Sequence, residues 1–427
     1  MRLLLITYYF PPCGGATVQR WLKWLPILVE QGFEVTVLTT KDGDYPVYDE
    51  SLLAEIPPEV TVIWTKTFKF EKIWKIFTGN KRPIPYGNIS KNKEQNLINR
   101  ILIWIRLNLI IPDIRKFWNP SALKKAIDYL RTTPVDYVIT TGPPHSTHLI
   151  GLKLKKQLKI KWIADWRDPW TSIYYLQLNP PSRISCFWHK KLETKVAQTA
   201  DWNVVVSEHL ASQLPTNKIS VIYSGYDDKK IPAPVIAQTK EKETTFKLKF
   251  IGNITEGQRL DILIQIIAKA FPDEDIELSF IGTNLSEEYR TLLQNLLPGR
   301  YVCKNFIPHK EALQEMQDSQ VLLLLINYYP GAEGMLTTKL FEYLASYNKI
   351  LCLGPHNSEA EKLINRYEAG KCFDINESED AIEYLRNLYS WWNSGKTLKN
   401  DIEVTELSAQ NQVLKLIDLI HSLNSQS

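Results

Sequence analysis

Residues 331–353 (GAEGMLTTKLFEYLASYNKILCL) combine residue types that suit the chemistry of a nucleoside diphosphate. A helix is predicted to begin at Thr337 or Thr338, where a hydroxyl can cap free backbone N–H groups. Lys339 in its first turn adds a mobile positive charge to amides that already favour anions, which suits a diphosphate. Glu342 follows at helical spacing and could accept hydrogen bonds from both hydroxyls of a ribose. The pattern indicates a nucleotide-sugar site.

The same stretch also fits an ordinary amphipathic helix. In that interpretation Leu340, Phe341 and Leu344 lie in the core, while Lys339 and Glu342 are solvated. The stretch alone does not distinguish a nucleotide-sugar site from an amphipathic helix. The rest of the chain has to decide between them.

Length and composition are those of an ordinary globular protein with two domains. The 427 residues are too many for a single core. With 44% hydrophobic residues, 23% charged residues and a net charge of +4, neither disorder nor an acidic tail is indicated. The five cysteines lack metal-ligand spacing and are typical of reduced thiols in a cytosolic protein. The short apolar start, MRLLLITYYFPP, predicts a first strand rather than a secretory signal.

Short aliphatic runs alternate with helical segments in two successive series, which predicts an α/β fold of parallel sheets covered by helices. The predicted organisation is a domain over residues 1–226, a hinge over 227–245, a domain over 246–400, and a C-terminal helix over 401–427 that could pack back across the hinge. Two Rossmann-like domains joined in this way would face each other across a cleft. Ligands of such sheets bind beyond the carboxyl ends of the strands, so the loops there are expected to carry the function.

The first of these loops, YYFPPCGGA, contains Gly14 and Gly15. Glycine lets the backbone approach a ligand where a side chain would not fit. The loop lacks the GxGxxG fingerprint of dinucleotide-binding proteins, which disfavours a nicotinamide-dependent reductase. A tight turn that serves packing alone is the alternative for the glycine pair.

The order of motifs along nearly the whole chain resembles that of GT-B glycosyltransferases of the retaining family 4 type. The segments that carry the resemblance are PPCGGATVQR, GFEVTVLT, VVVSEHL, SGYD, FIGNITEGQRLD and TTKLFEYLAS. The last is similar to a signature of enzymes that build lipopolysaccharide, O-antigen and capsule repeat units. The resemblance implies that Thr338, Lys339 and Glu342 bind a nucleoside-diphosphate sugar in the C-terminal domain.

The resemblance also implies that the N-terminal domain binds a glycan or lipid-linked acceptor and that the transferred sugar retains its anomeric configuration. Positive charge and helix-end amides, rather than a metal or another cofactor, are then expected to stabilise the leaving diphosphate. The acidic pairs Asp42/Asp44 and Asp273/Asp275 are interpreted as solvated turns, not as a metal-binding D-x-D motif.

The chain departs from the family pattern in the loop that would clamp the diphosphate. The arginine and lysine of the family's G-R-x-x-x-K-G motif are absent: Asn253 follows Gly252, and Gln258 and Arg259 lie near the lysine position. Lys339, with Arg259 as a candidate second cation, is then expected to neutralise the diphosphate.

A second departure concerns the glutamate that contacts the transferred sugar in the family. Counting back from Glu342 by the family's E-x7-E spacing gives Gly334. Glu333, the candidate for that role here, is one residue out of register.

Two polar loops of the N-terminal half, TTGPPHSTH and ADWRDPW, correspond to family loops that face the acceptor and the transferred sugar. In the second loop, Asp165 or Asp168 is a candidate to orient or deprotonate an acceptor hydroxyl, and Arg167 is a candidate to hold a phosphate. In the first, His145 and Ser146 are candidates for acceptor contact. The structural alternatives are a salt bridge of the aspartates with Arg167, together with helix capping, and a capping role for His145.

The stretch from Lys66 to Lys125 is basic and interleaved with tryptophans. Within it, LINRILIWIRLNLII (residues 97–111) predicts a helix with Trp104, Arg100 and Arg106, a pattern suited to an anionic membrane surface. A buried helix with two snorkelling arginines is the alternative. Nucleic acid is disfavoured because no recognition motif accompanies the basic residues.

Together these features predict a glycosyltransferase of cell-surface polysaccharide synthesis, in the cytoplasm and at the inner face of the cytoplasmic membrane. Two rivals remain. A GT-B epimerase or nucleotide-sugar hydrolase would use the same nucleotide pocket without an acceptor surface. A catalytically degenerate GT-B scaffold would explain the missing clamp and the misregistered glutamate.

Overall fold

The computed structural model of the chain describes residues 1–67, 97–231, 245–255, 257–305 and 307–425, and only the backbone of residues 97–99. The chain divides into two compact units, Met1–Ser224 with Val413–Ser427, and Gly225–Gln412. Most of the predicted hinge, from residue 232 to residue 244, lies outside the described residues.

The first unit is built on a seven-stranded parallel sheet with the order β3-β2-β1-β4-β5-β6-β7. Its strands are β1 (Arg2–Ile6), β2 (Glu34–Thr40), β3 (Thr61–Thr65), β4 (Tyr137–Gly142), β5 (Trp162–Trp166), β6 (Trp202–Val205) and β7 (Ile219–Val221). Its helices are α1 (Ala16–Glu30), α2 (Leu97–Asn108), α3 (Asn119–Thr132), α4 (His148–Leu158), α5 (Tyr174–Leu178), α6 (Arg183–Thr199) and α7 (Glu208–Gln213). The central strands β4 and β5 are buried along their whole length, because helices cover both faces of a parallel sheet.

The second unit contains a six-stranded parallel sheet with the order β10-β9-β8-β11-β12-β13. Its strands are β8 (Phe246–Ile251), β9 (Ile276–Ile281), β10 (Tyr301–Lys304), β11 (Val321–Leu325), β12 (Lys349–Leu353) and β13 (Gly370–Phe373). Its helices are α8 (Leu260–Ala270), α9 (Glu287–Leu296), α10 (His309–Gln317), α11 (Thr338–Ala345), α12 (Glu359–Arg366) and α13 (Ser378–Asn393).

The last helix, α14 (Ala409–Ser425), belongs to the first unit from Val413 onward. Near its end, Asn424 Oδ1 accepts a hydrogen bond from Tyr137 Oη at 3.1 Å.

Each sheet has one point where the strand order reverses, between β1 and β4 in the first unit and between β8 and β11 in the second. Loops that leave the carboxyl ends of such neighbouring strands diverge and open a crevice, which is where α/β proteins bind ligands. The two parallel, helix-covered sheets confirm the predicted fold class of two Rossmann-like domains. Among the described residues, no helix has both the length and the apolar character that a membrane span requires.

Candidate functional site

The two loops at the switch point of the second unit are tied to each other. Residues 252–259 follow β8, and residues 326–337 follow β11. The backbone N–H of Tyr328 donates to the carbonyl of Gly257 at 3.0 Å. The side chain of Asn327 donates to Oγ1 of Thr255 at 3.1 Å. These bonds hold the two loops together at the switch point.

Gln258 and Arg259 were both predicted to bind the nucleotide-sugar donor, and both have hydrogen-bond partners within the protein. The Gln258 amide donates to the carbonyl of Leu325 at 2.8 Å and accepts from the N–H of Thr255 at 2.9 Å. Arg259 pairs with both carboxylate oxygens of Asp261, at 2.9 and 2.7 Å. Gln258 therefore fixes the loop, and the charge of Arg259 is paired with Asp261.

Lys339 is the second residue of α11, which begins at Thr338. Its ammonium lies 4.5 Å from the centre of the Phe250 ring. Burial lowers the pKa of Lys339 to about 8, although Glu342 acts in the opposite direction. No carboxylate forms a salt bridge with Lys339 in the part of the chain that the structure describes. Lys339 is thus a desolvated cation that lacks a direct counter-ion.

Gly252 makes room for this cation at the end of β8. A Cβ built on Gly252 would lie 3.0 Å from Cδ and 3.1 Å from Nζ of Lys339. The φ of Gly252 is +109°, a backbone conformation that side-chain-bearing residues rarely adopt. The next residue, Asn253, is exposed. Gly252 therefore packs closely against Lys339, and its contact with a donor stays a prediction.

Glu342 lies one turn along α11 from Lys339 and is oriented by a histidine. Nε2 of His309, the first residue of α10, donates to Oε1 of Glu342 at 2.9 Å. The Glu342 side chain is 15% exposed and that of His309 is 48% exposed, so the pair borders solvent. No sequence signal had indicated His309, which begins α10.

The other residues of the second unit that were predicted to contact the nucleotide sugar lie at the start of α11 and in the loop before it. Thr338 opens the helix, and the hydroxyl of the preceding Thr337 is buried without a hydrogen-bond partner among the described residues. Glu333 is half-buried in a 3₁₀ turn, Ala332–Gly334, which follows the left-handed Gly331. The structure groups Gly252, Lys339 and Glu342, and it leaves Glu333 on a separate turn of the β11 loop.

In the first unit, the two glycines after β1 differ in their surroundings. A Cβ on Gly14 would lie 3.1 Å from Val47 and from Asp49, so this glycine allows close chain packing. Gly15 precedes α1 with a φ of +83°, and a Cβ there would meet nothing within 4 Å. Only Gly15 therefore presents backbone to open space.

Asp165 lies in a buried ion pair with Arg20 rather than with Arg167. Its Oδ1 is 3.1 Å from Nη2 of Arg20, and both side chains are 2% exposed. Its Oδ2 accepts from Trp21 Nε1 at 3.2 Å and from Thr141 Oγ1 at 2.8 Å. Burial lowers the pKa of Arg20 to about 10. Asp165 is thus occupied by protein partners on both oxygens.

Arg167 is held by protein partners, whereas Asp168 is open to solvent. The Arg167 guanidinium donates to the carbonyls of Thr17 and Pro143, the latter at 2.9 Å, and thereby joins the first turn of α1 to the loop after β4. Asp168 is exposed. Of the two predicted aspartates, Asp168 is the one that solvent or an acceptor can reach.

His145 and Ser146 open the helical segment that leads into α4. His145 stacks on Trp170 with ring centres 5.3 Å apart, and burial lowers its pKa to about 3, so it is neutral. The amide and hydroxyl of Ser146 both donate to the carboxylate of Asp113 at 2.8 Å. Asp113 therefore already supplies the anion that this helix start attracts.

The described residues include no group of three or more histidine, cysteine, aspartate or glutamate side chains that could hold a metal ion.

Comparisons with known proteins give a fold and no closer relationship. No family model matches the chain, and no curated protein sequence matches it. Among solved structures, a sucrose-phosphate synthase from Thermosynechococcus elongatus is similar over 100% of both chains, with a TM-score of 0.66 and 14% identity. The chain has the GT-B fold.

Two further structures with this fold differ in activity. A lipopolysaccharide outer core galactosyltransferase, WaaB, is similar over 99% of both chains, with a TM-score of 0.59 and 12% identity. A putative UDP-N-acetylglucosamine 2-epimerase from Listeria monocytogenes is similar over 100% of this chain and 97% of its own, with a TM-score of 0.57 and 11% identity. Structures with this fold therefore carry the names of both transferases and a putative epimerase, and the fold alone does not distinguish these activities.

Proposed function

We propose that the chain is a glycosyltransferase that uses a nucleoside-diphosphate sugar as donor. The observation that carries the proposal is the desolvated Lys339 ammonium beside Gly252 at a switch point of a GT-B sheet, without a salt-bridge partner among the described residues. Removing a cation from water is costly unless something neutralises it, and a diphosphate would do so. Glu342, three residues further along α11, supports a nucleoside rather than a bare phosphate as the ligand.

In this proposal each residue has a separate task. Lys339 and the free amides at the start of α11 hold the diphosphate. Glu342, oriented by His309, accepts hydrogen bonds from the ribose hydroxyls. Negative charge grows on the leaving diphosphate oxygen as the bond to the anomeric carbon breaks, and Lys339 stabilises that charge. Arg259 is a candidate second cation, and transfer with retention and without a metal is part of the proposal.

Product analysis tests the reaction. Purified protein is incubated with UDP-, GDP-, ADP-, dTDP- and CMP-sugars in EDTA, with and without a lipid extract from the cells that make it. We expect one donor to be consumed and its sugar to appear in the lipid or glycan fraction. Lys339→Ala should abolish transfer, whereas Asp261→Asn, which frees Arg259, should not.

The epimerase and hydrolase class is the second candidate, and the Listeria structure favours it. Conversion of the donor to an epimer or to free sugar at a rate independent of lipid would replace the transferase proposal. Nucleotide binding without any turnover would instead favour the non-catalytic scaffold.

We further propose that the acceptor is lipid-linked and that the first unit contacts the membrane carrying it, at its cytoplasmic face. Helix α2, predicted at residues 97–111, exposes Ile101 and Trp104, which are 50% and 55% exposed. This segment contains Arg100 and Arg106 and no acidic residue. Such a mixture of exposed apolar and cationic side chains is suited to an anionic lipid surface.

Helix α6 extends this surface, and no sequence signal had indicated it. Asn108, at the end of α2, accepts from the N–H of Ser182 at 2.7 Å, which joins the two helix ends. Ile184, Phe187 and Trp188 share one helical face and are 72%, 61% and 46% exposed. Lys191 lies over the Phe187 and Trp188 rings.

Vesicle sedimentation tests the membrane contact. Vesicles containing phosphatidylglycerol should bind the protein, vesicles of phosphatidylcholine should not, and salt should weaken the binding. Trp104→Ala with Phe187→Ala should reduce binding, whereas Trp391→Ala, a tryptophan of the second unit that is 53% exposed, should leave it unchanged. Equal binding by both variants would reject this surface.

A further inference from the structure

Two cysteines that stand apart in the sequence meet on neighbouring strands of the second unit. Cys352 of β12 and Cys372 of β13 are direct register partners in the parallel ladder. Their sulfurs are 3.1 Å apart, and the Cys372 thiol donates to the Cys352 sulfur. Both are free thiols. Neighbouring strands lie about 4.8 Å apart, a separation that a disulfide can bridge.

The two thiols differ in access. Cys352 is fully buried, whereas Cys372 is half-buried and lines an open cavity of about 340 Å³ together with His356, Glu377 and Tyr384. Its partner strand β12 is covered on both edges, while β13 ends the sheet. A small oxidant therefore reaches Cys372 first, and Cys352 is the sulfur placed to react next.

We propose that Cys352 and Cys372 form a reversible intramolecular disulfide when a peroxide oxidises the protein. The Cys372 thiolate attacks one oxygen of hydrogen peroxide; an S–O bond forms, the O–O bond breaks, and hydroxide leaves and becomes water. The Cys352 sulfur then attacks the sulfenic acid; the S–S bond forms, the S–O bond breaks, and the second oxygen leaves as water with the Cys352 proton. Two thiols are oxidised, and one peroxide is reduced to two waters.

The bond would join the two strands that end beside the β11 loop. The backbone N–H of Ile375, two residues after β13, donates to Oη of Tyr328 in that loop at 3.1 Å. The inference does not depend on the proposed function, because it concerns only the ladder between β12 and β13.

Peptide mapping tests the proposal. Protein carrying Cys186→Ser, which removes the exposed thiol, is treated with hydrogen peroxide, alkylated while denatured and digested with trypsin. We expect a linked pair of peptides, residues 350–362 and 372–386, that dithiothreitol separates. The number of alkylatable thiols should fall by two.

A matched pair of variants supplies the control. Cys372→Ser should abolish the linked peptide and the loss of two thiols, whereas Cys303→Ser, at a half-buried cysteine of β10, should retain both effects. The proposal is overturned if Cys372 instead accumulates as sulfinic acid, if it pairs with another cysteine, or if both thiols stay alkylatable. The map of the parent protein decides the matter even if a variant folds poorly.

Discussion

Each switch point contains a desolvated cation, Arg20 fully buried and Lys339 half-buried, and the two differ in what neutralises them. Nη2 of Arg20 lies 3.1 Å from Oδ1 of Asp165. Oδ2 of the same carboxylate accepts hydrogen bonds from Trp21 and Thr141. Lys339 faces an aromatic ring and a glycine, and no described carboxylate forms a salt bridge with it. A desolvated charge with an internal partner is structural, whereas one without a partner is available to a ligand of opposite sign.

The largest effect is expected from a change in the ion pair between Arg20 and Asp165. Asp165→Asn leaves Arg20 as an uncompensated buried charge, and we expect a loss of about 3–5 kcal/mol of stability. Hydrogen exchange of the β5 amides measures it. The double change Arg20→Met with Asp165→Leu should recover most of the loss, since it removes both charges. A loss well below this range for Asp165→Asn would show that the pair is not the structural element that its burial indicates.

The sequence predicted the helices and strands around these cations better than it predicted the ion-pair partners of their side chains. Helix α11 begins at Thr338, one of the two predicted starts, because helical periodicity is a local signal. The predicted capping was wrong, since the Thr337 hydroxyl makes no capping hydrogen bond. Asp165 was predicted to contact an acceptor hydroxyl, with a salt bridge to its near neighbour Arg167 as the structural alternative, but its partner is Arg20. Tertiary packing decides such a pair, and spacing along the chain contains no information about it.

The same limit applies to His309 and to α6. His309 reaches Glu342 only because α10 and α11 are neighbours in the folded unit. The exposed face of α6 was not recognised because a helix with Ile184, Phe187 and Trp188 on one side looks like any amphipathic helix until its buried side is known. Whether the predicted site residues bind substrate stays a prediction.

The pH dependence of nucleotide affinity sharpens the contrast at Lys339. The pKa of Lys339 in the free protein is about 8, and only the ammonium attracts a diphosphate. Binding should therefore be unaffected by protonation of this group below pH 8 and weaken about tenfold per pH unit above it. Calorimetric titration across this range measures the effect.

Lys339→Arg is the control for this titration, because arginine stays charged over the whole range. Its affinity, whatever the value at neutral pH, should not fall above pH 8. A wild-type profile as flat as that of the variant would mean that Lys339 does not face the diphosphate.

The task of Glu342 can be separated from that of Lys339. Glu342→Gln should weaken nucleoside diphosphate binding about tenfold, because a charge-assisted hydrogen bond to the ribose is lost. Binding of inorganic diphosphate, which has no ribose, should be unchanged. His309→Ala should have a smaller effect of the same kind, and equal losses for both ligands would assign Glu342 to the fold instead.

The smallest expected effect concerns Gly252. Gly252→Ala and Gly299→Ala both place a Cβ on a backbone of positive φ, but only the first brings it against Lys339, since a Cβ on Gly299 meets nothing within 4 Å. Both should lose about 1 kcal/mol of stability. Only Gly252→Ala should also lower nucleotide affinity, by severalfold. Equal affinities of the two variants would argue against close packing of Gly252 and Lys339 in the bound state.

The central claim is that Lys339 binds the diphosphate of a nucleotide, and a thermal-shift screen tests it most directly. Wild type and Lys339→Ala are each melted with UDP, GDP, ADP, CMP and dTDP in EDTA at neutral pH. We expect one nucleoside diphosphate to raise the wild-type melting temperature selectively, with no rise in the variant. The claim is contradicted if no nucleotide shifts the wild type, or if the variant shifts equally.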